Sequence, residues 1–238
     1  MKTKMVRIKI CGITNSEDAL LAAELGAHAL GFIFHKKSPR YVTPEKALSI
    51  IDQLPALVLT VGVFVDENPE AVREIAARAG LDWLQLHGNE SPEYCRALDR
   101  RVIKAFRIKN EDSLADLARY QGACQAFLLD TYKKGQIGGT GETFDWHLAR
   151  QATKYGPIIL AGGLTPENVA AAVKIAQPAA VDVASGVEAA PGKKDPEKLR
   201  AFIAAMKEFE GGGQGVPTGE DAGATGPAPS PKPPSPTP

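Results

Sequence analysis

The chain has 238 residues, of which 44% are hydrophobic and 24% charged, ordinary content for a globular protein of one or two domains. Lys+Arg and Asp+Glu number 28 each, so no net positive field is available to hold a nucleic-acid backbone. The longest apolar stretch, residues 57–65, is broken by Thr60 and Gly62 and falls far short of the ~20 residues that span a bilayer.

The first ten residues alternate charged and apolar types and lack the apolar centre of a signal peptide, which predicts a cytoplasmic protein. Three scattered cysteines, Cys11, Cys95 and Cys124, make no disulfide framework and suit a reducing compartment. Short apolar, β-branched runs then recur at residues 6–10, 29–34, 57–65, 83–86, 102–106, 126–129, 158–160 and 180–183. Their nearly continuous apolar content predicts strands buried on both faces.

Between the strands lie helix starts built from a cap, a proline and a glutamate: Thr43-Pro44-Glu45, Asn68-Pro69-Glu70, Ser91-Pro92-Glu93, Thr165-Pro166-Glu167 and Asp195-Pro196-Glu197. The first residue caps free N–H groups, proline suits the first helical position, and glutamate complements the positive helix end. Looser starts stand at Asn15-Ser16-Glu17, Asn110-Glu111-Asp112 and Thr143-Phe144-Asp145. Eight strand–helix units at a spacing of ~25 residues predict a single (β/α)8 barrel, the TIM-barrel class of α/β fold, over residues 1–210. An open doubly wound sheet would leave two units without a place. From residue 211 to 238, 15 of 28 residues are Gly or Pro, a composition that predicts a disordered tail.

Barrel chemistry sits at the carboxyl ends of the strands. There the sequence places Cys11 with Gly12, then Arg40, His87, Asp130, the pair Gly162-Gly163, and Ser185-Gly186. The glycine turn after strand seven and the possible helical turn after strand eight predict a phosphate site. Cys11 is a candidate base, if a positive neighbour lowers its thiol pKa; Lys9 alternates with it and could face the same way. Asp130 is a candidate general acid, and Arg40 a candidate two-pronged grip on a carboxylate. Cys95 and Cys124 read as packing. No pair of histidines has metal-ligand spacing, so no metal is expected, and no dinucleotide or P-loop fingerprint is present.

Taken together, Lys9-Ile10-Cys11-Gly12-Ile13-Thr14, Ser38-Pro39-Arg40, Gln85-Leu86-His87-Gly88 and Leu129-Asp130 resemble stretches of phosphoribosylanthranilate isomerases. So do the segments 138–146, 160–164 and 181–188, and the resemblance runs in order from about residue 7 to residue 199. It implies an Amadori rearrangement in tryptophan biosynthesis, with Asp130 as general acid and Cys11, as thiolate, as general base, and with no cofactor, which fits the missing fingerprints. Arg40 would hold the anthranilate carboxylate, and Gly162, Gly163, Ser185 and Gly186 the phosphate. His87 and Asp182 match positions lining the family's site, and the glycine-rich loop 133–142 matches its lid. A small phosphorylated substrate is the only partner implied, for a monomer or homodimer. The histidine-pathway isomerase, a similar barrel, carries an aspartate where Cys11 stands; a non-catalytic phosphosugar-binding barrel is the other alternative.

Overall fold

A computed structural model describes residues 5–131 and 145–211. The expected lid at 133–142 and the expected tail at 211–238 lie outside those residues, except Gly211, which ends the last helix. Eight parallel strands close into a barrel: β1 (Arg7–Cys11), β2 (Ala29–Ile33), β3 (Leu59–Phe64), β4 (Trp83–Leu86), β5 (Arg101–Ile108), β6 (Ala126–Thr131), β7 (Ile158–Leu160) and β8 (Ala180–Val183). Successive strands pair from β1 to β8, and β8 pairs back onto β1, which closes the ring and leaves no edge strand. The helices α1 (Ser16–Leu25), α2 (Pro44–Ile51), α3 (Pro69–Ala79), α4 (Pro92–Ala97), α5 (Asp112–Ala115), α6 (Trp146–Ala152), α7 (Val169–Ala176) and α8 (Pro196–Gly211) follow the strands in turn.

Most helix starts lie where the capping residues put them. The side chains of Asn15, Thr43, Asn68 and Ser91 each accept a backbone N–H from the first turn, as does Asp195 ahead of α8. Helix α7 departs from expectation. Thr165-Pro166-Glu167 forms a turn, closed by Asn168 Oδ1 accepting from Thr165 N at 2.8 Å, and the helix opens only at Val169. The fifth unit is a short α5 continued by a 3-10 turn over Asp116–Tyr120. Among the described residues no helix is long and apolar enough to cross a membrane.

Strand periodicity then decides which side chains reach the lumen. Ile8, Ile10, Leu84, Leu86, Phe127, Leu129, Val181 and Val183 point outward and pack with the helices in one continuous core. Val61, Ile103, Ala105, Ala126, Leu128 and Ile159 face the other way and fill the barrel interior as a separate cluster. Successive strand residues face opposite sides, so the phase of each strand is fixed by its outward apolar residues. That phase turns Cys11, Gln85, Asp130 and Asp182 into the barrel, above the apolar plug.

Candidate active site

At the carboxyl end of the barrel a cavity of about 570 Å³ opens. Cys11, Arg40, His87, Asp130, Gly162, Gly163, Asp182, Ser185 and Gly186, drawn from β1, β6, β8 and four of the connections between strands and helices, all line it. The structure thus brings every expected site residue to one mouth.

Cys11 closes β1 and is buried. Glycine at position 31 of β2 leaves it room, since a Cβ there would lie 2.7 Å from Cys11 Sγ and 3.0 Å from Lys9 Nζ. The same numbers place thiol and ammonium side by side, as alternation along β1 predicted. The expected lowering of the thiol pKa does not follow. Burial pushes the Cys11 thiol above the ordinary thiol range, against the downward pull of Lys9 and Lys194, and Asp182 adds to the rise. Lys9 gives little net relief because its ammonium is bound 2.7 Å from Asp182 Oδ1. Burial opposes that ammonium too, yet Asp182 and Cys11 outweigh it and hold the Lys9 pKa above its usual value.

Asp130 lies on β6, three strands from β1 around the ring by way of β7 and β8. Its Oδ2 is 3.5 Å from His87 Nε2. Gln85 Nε2 lies 3.2 Å from His87 Nδ1, which favours the tautomer with the proton on Nε2, facing Asp130. Gln85 Oε1, His35 Nε2 and His87 Nε2 are buried polar atoms at the cavity with no hydrogen-bond partner among the described residues. Such atoms are costly unless a ligand supplies the partner. Gln85 and His35 were not named as candidate site residues in the sequence, although Gln85 stands in the stretch Gln85-Leu86-His87-Gly88.

The loops after β7 and β8, where a phosphate site was expected, meet at the cavity. Gly162 and Gly163 have φ of +82° and +66°, a conformation that favours glycine. Ser185–Val187 forms the expected short turn, a 3-10 helix. Gly186 packs so closely on the Leu164 carbonyl that a Cβ would collide with it, which welds the two loops together.

Arg40 is not free at this mouth. Its Nε and Nη2 donate to Glu188 Oε1 and Oε2 at 2.8 and 2.6 Å. Its stem crosses Gly12, where a Cβ would stand 2.7 Å from Arg40 Cδ. Cys95 and Cys124 lie away from the cavity and pack, as expected; burial pushes both thiols up to about 11.

A family model described as N-(5'-phosphoribosyl)anthranilate isomerase matches residues 8–205. The chain is 56% identical over 203 residues to N-(5'-phosphoribosyl)anthranilate isomerase of Geobacter sulfurreducens, covering 85% of this chain and 99% of that one. It is also similar to the crystal structure of phosphoribosyl anthranilate isomerase from Thermotoga maritima, with a TM-score of 0.81 and 46% identity over 85% of this chain and 99% of that one. A further structure of such an enzyme, in complex with reduced 1-(o-carboxyphenylamino)-1-deoxyribulose 5-phosphate, matches at a TM-score of 0.78 and 45% identity over the same shares.

Proposed function

The chain belongs to the N-(5'-phosphoribosyl)anthranilate isomerase family, the aldose–ketose isomerases of tryptophan biosynthesis, and from that premise we propose that Cys11 and Asp130 divide the base and acid steps of the reaction between them. The substrate is N-(5-phosphoribosyl)anthranilate. Asp130 protonates the furanose ring oxygen, and the C1–O bond breaks as the anilino nitrogen lone pair forms the Schiff base. Cys11, as thiolate, then removes the proton from sugar C2. The resulting enolamine tautomerises to 1-(2-carboxyphenylamino)-1-deoxyribulose 5-phosphate. Bonds and protons move but no electrons leave the substrate, so the chemistry calls for no redox partner.

The supporting observation is the convergence of one thiol, the carboxyls of Asp130 and Asp182, one arginine and two abutting glycine turns on a single cavity. Acid and base stand on different strands of the ring, as work on two separate substrate atoms requires. The welded loops after β7 and β8 take the phosphate through backbone N–H groups, and Arg40 takes the anthranilate carboxylate. Its Nη1 has no partner among the described residues and remains for that ligand. His87 Nε2 lies 3.5 Å from Asp130 Oδ2 without a hydrogen bond, and a small approach would let it steady the carboxylate left after protonation of the ring oxygen. All nine residues come from one chain, so monomer and homodimer would work alike. The purified protein is tested by following the fluorescence of phosphoribosylanthranilate. Its loss with formation of the ketose is expected; binding without conversion would leave only a phosphosugar-binding barrel.

A further inference from the structure

After β8 the chain makes a short antiparallel hairpin, β9 (Glu188–Ala190) with β10 (Lys193–Lys194), before α8 begins. The hairpin buries two charged side chains beside the cavity. Lys194 has no exposed side-chain surface, and its Nζ donates to Cys11 O at 2.6 Å, Glu188 Oε1 at 3.1 Å and Ala184 O at 3.2 Å. Glu188 therefore receives Lys194 on the same oxygen that accepts Arg40 Nε, and Gly192 N reaches that oxygen at 3.3 Å. Burial works against the Glu188 carboxylate, but Arg40 and Lys194 hold its pKa below the ordinary range, so it remains an acceptor. One chain of contacts thus runs from Arg40 through Glu188 and Lys194 to the backbone of the residue proposed as base.

We propose that Glu188, itself held by Lys194, is a positioning residue that fixes the Arg40 guanidinium with its Nη1 edge left to the substrate carboxylate. This rests on the reading of Arg40 as the carboxylate grip. An unrestrained arginine loses rotamer freedom when it closes on a ligand, and that loss weakens binding. Here a two-pronged contact has already ordered the fork, and Lys194 and Gly192 have ordered Glu188. The opposite reading is that Glu188 competes with the substrate for Arg40. It predicts tighter carboxylate binding when Glu188 is weakened, so the sign of the effect decides.

The test compares two ligands by calorimetry: reduced 1-(o-carboxyphenylamino)-1-deoxyribulose 5-phosphate and its carboxyl-free phenylamino counterpart. The ratio of their Kd values measures what the carboxylate contributes. Glu188→Gln sets an amide N–H₂ against the guanidinium donors and should shrink that ratio about tenfold, the scale of one charge-assisted hydrogen bond. Affinity for the carboxyl-free ligand should stay within about twofold, and KM should rise more than kcat falls. Glu188→Asp keeps the charge but shortens the reach by one methylene; it should lose the ratio in the same direction, and it carries the test should Glu188→Gln not fold. An unchanged or larger ratio in the Glu188 variants, with a smaller one in Arg40→Lys, would overturn the positioning role while leaving Arg40 as the grip. An unchanged ratio in Arg40→Lys would instead remove the premise. Equal losses for both ligands would show Glu188 to be merely a brace for the whole site.

Discussion

Lys9 and Asp182 face each other in the register of β1 and β8 and close to 2.7 Å, one strand repeat below Cys11 on the same inner face. Their charges largely cancel, so the thiol gains little from its nearest cation. Burial then sets the direction, and the thiol sits above its ordinary range. A base of raised pKa is scarcer at neutral pH but stronger in the fraction that is ionised.

The pH dependence follows with a definite sign. For a thiol the active base is the deprotonated form, so a raised pKa moves the base limb to higher pH. The rate at which iodoacetamide alkylates Cys11, which reports the thiolate alone and does not depend on a protonated Asp130, should keep rising past pH ~8.5, the ordinary thiol value. A midpoint near neutrality would mean that Lys9 and Lys194 outweigh burial, contrary to the geometry.

Arg40→Lys keeps a positive charge but loses the planar fork that spans Glu188 and a ligand carboxylate. KM for phosphoribosylanthranilate should rise about tenfold, the cost of roughly one charge-assisted hydrogen bond. Steady-state kinetics giving the wild-type KM would mean that this arginine braces Glu188 and touches no substrate.

Gly31→Ala places a methyl group 2.7 Å from Cys11 Sγ and 3.2 Å from the Cys11 Cα. The backbone contact cannot give way as a flexible side-chain tip could. Overpacking of this kind costs ~1–3 kcal/mol of stability, and the displaced thiol should lower kcat at least tenfold. Thermal melts and turnover measured on the same preparation check both halves.

Leu57 precedes β3 with φ of +75° and is 97% exposed. It contributes almost no packing there, yet a bulky side chain in left-handed backbone is strained. Leu57→Asn should therefore stabilise by about 0.5 kcal/mol, seen as a Tm ~1–2 °C higher. A lower Tm would show that the leucine makes a contact the structure does not contain.

Local signals carried the fold well. The caps at Asn15, Thr43, Asn68, Ser91 and Asp195 are short-range chemistry, so the sequence shows them directly. Thr165-Pro166-Glu167 carries the same signature but yields a turn, because Asn168 three residues on bonds back to Thr165 N. Eight of the nine site residues were legible because strand ends in a barrel converge whatever their separation in sequence, whereas Asp182, inside β8, came only through the family resemblance. The inward phase of most strands was not, since strands apolar on both faces show no alternation to read. Lys194 and Glu188 escaped notice for a different reason. In the run Gly192-Lys193-Lys194-Asp195 a lysine looks solvent-facing, and only the β9–β10 hairpin buries it under Cys11. The thiol was misjudged likewise: proximity of Lys9 could be inferred, but not its prior engagement by Asp182.

The most direct test of the central claim is kcat for Cys11→Ser and Asp130→Asn, read beside their affinity for the reduced product analogue. Serine keeps the size and hydrogen bonding of the thiol but is too weak an acid to supply a base, and asparagine keeps shape without a transferable proton. Each variant should lose at least ~10²-fold in kcat, the scale of a general acid or base. The analogue should still bind within a few-fold of wild type, because its phosphate contacts lie on the loops after β7 and β8. Near-normal kcat in Cys11→Ser would contradict the account, since the thiol could then not be the group that takes the proton from C2.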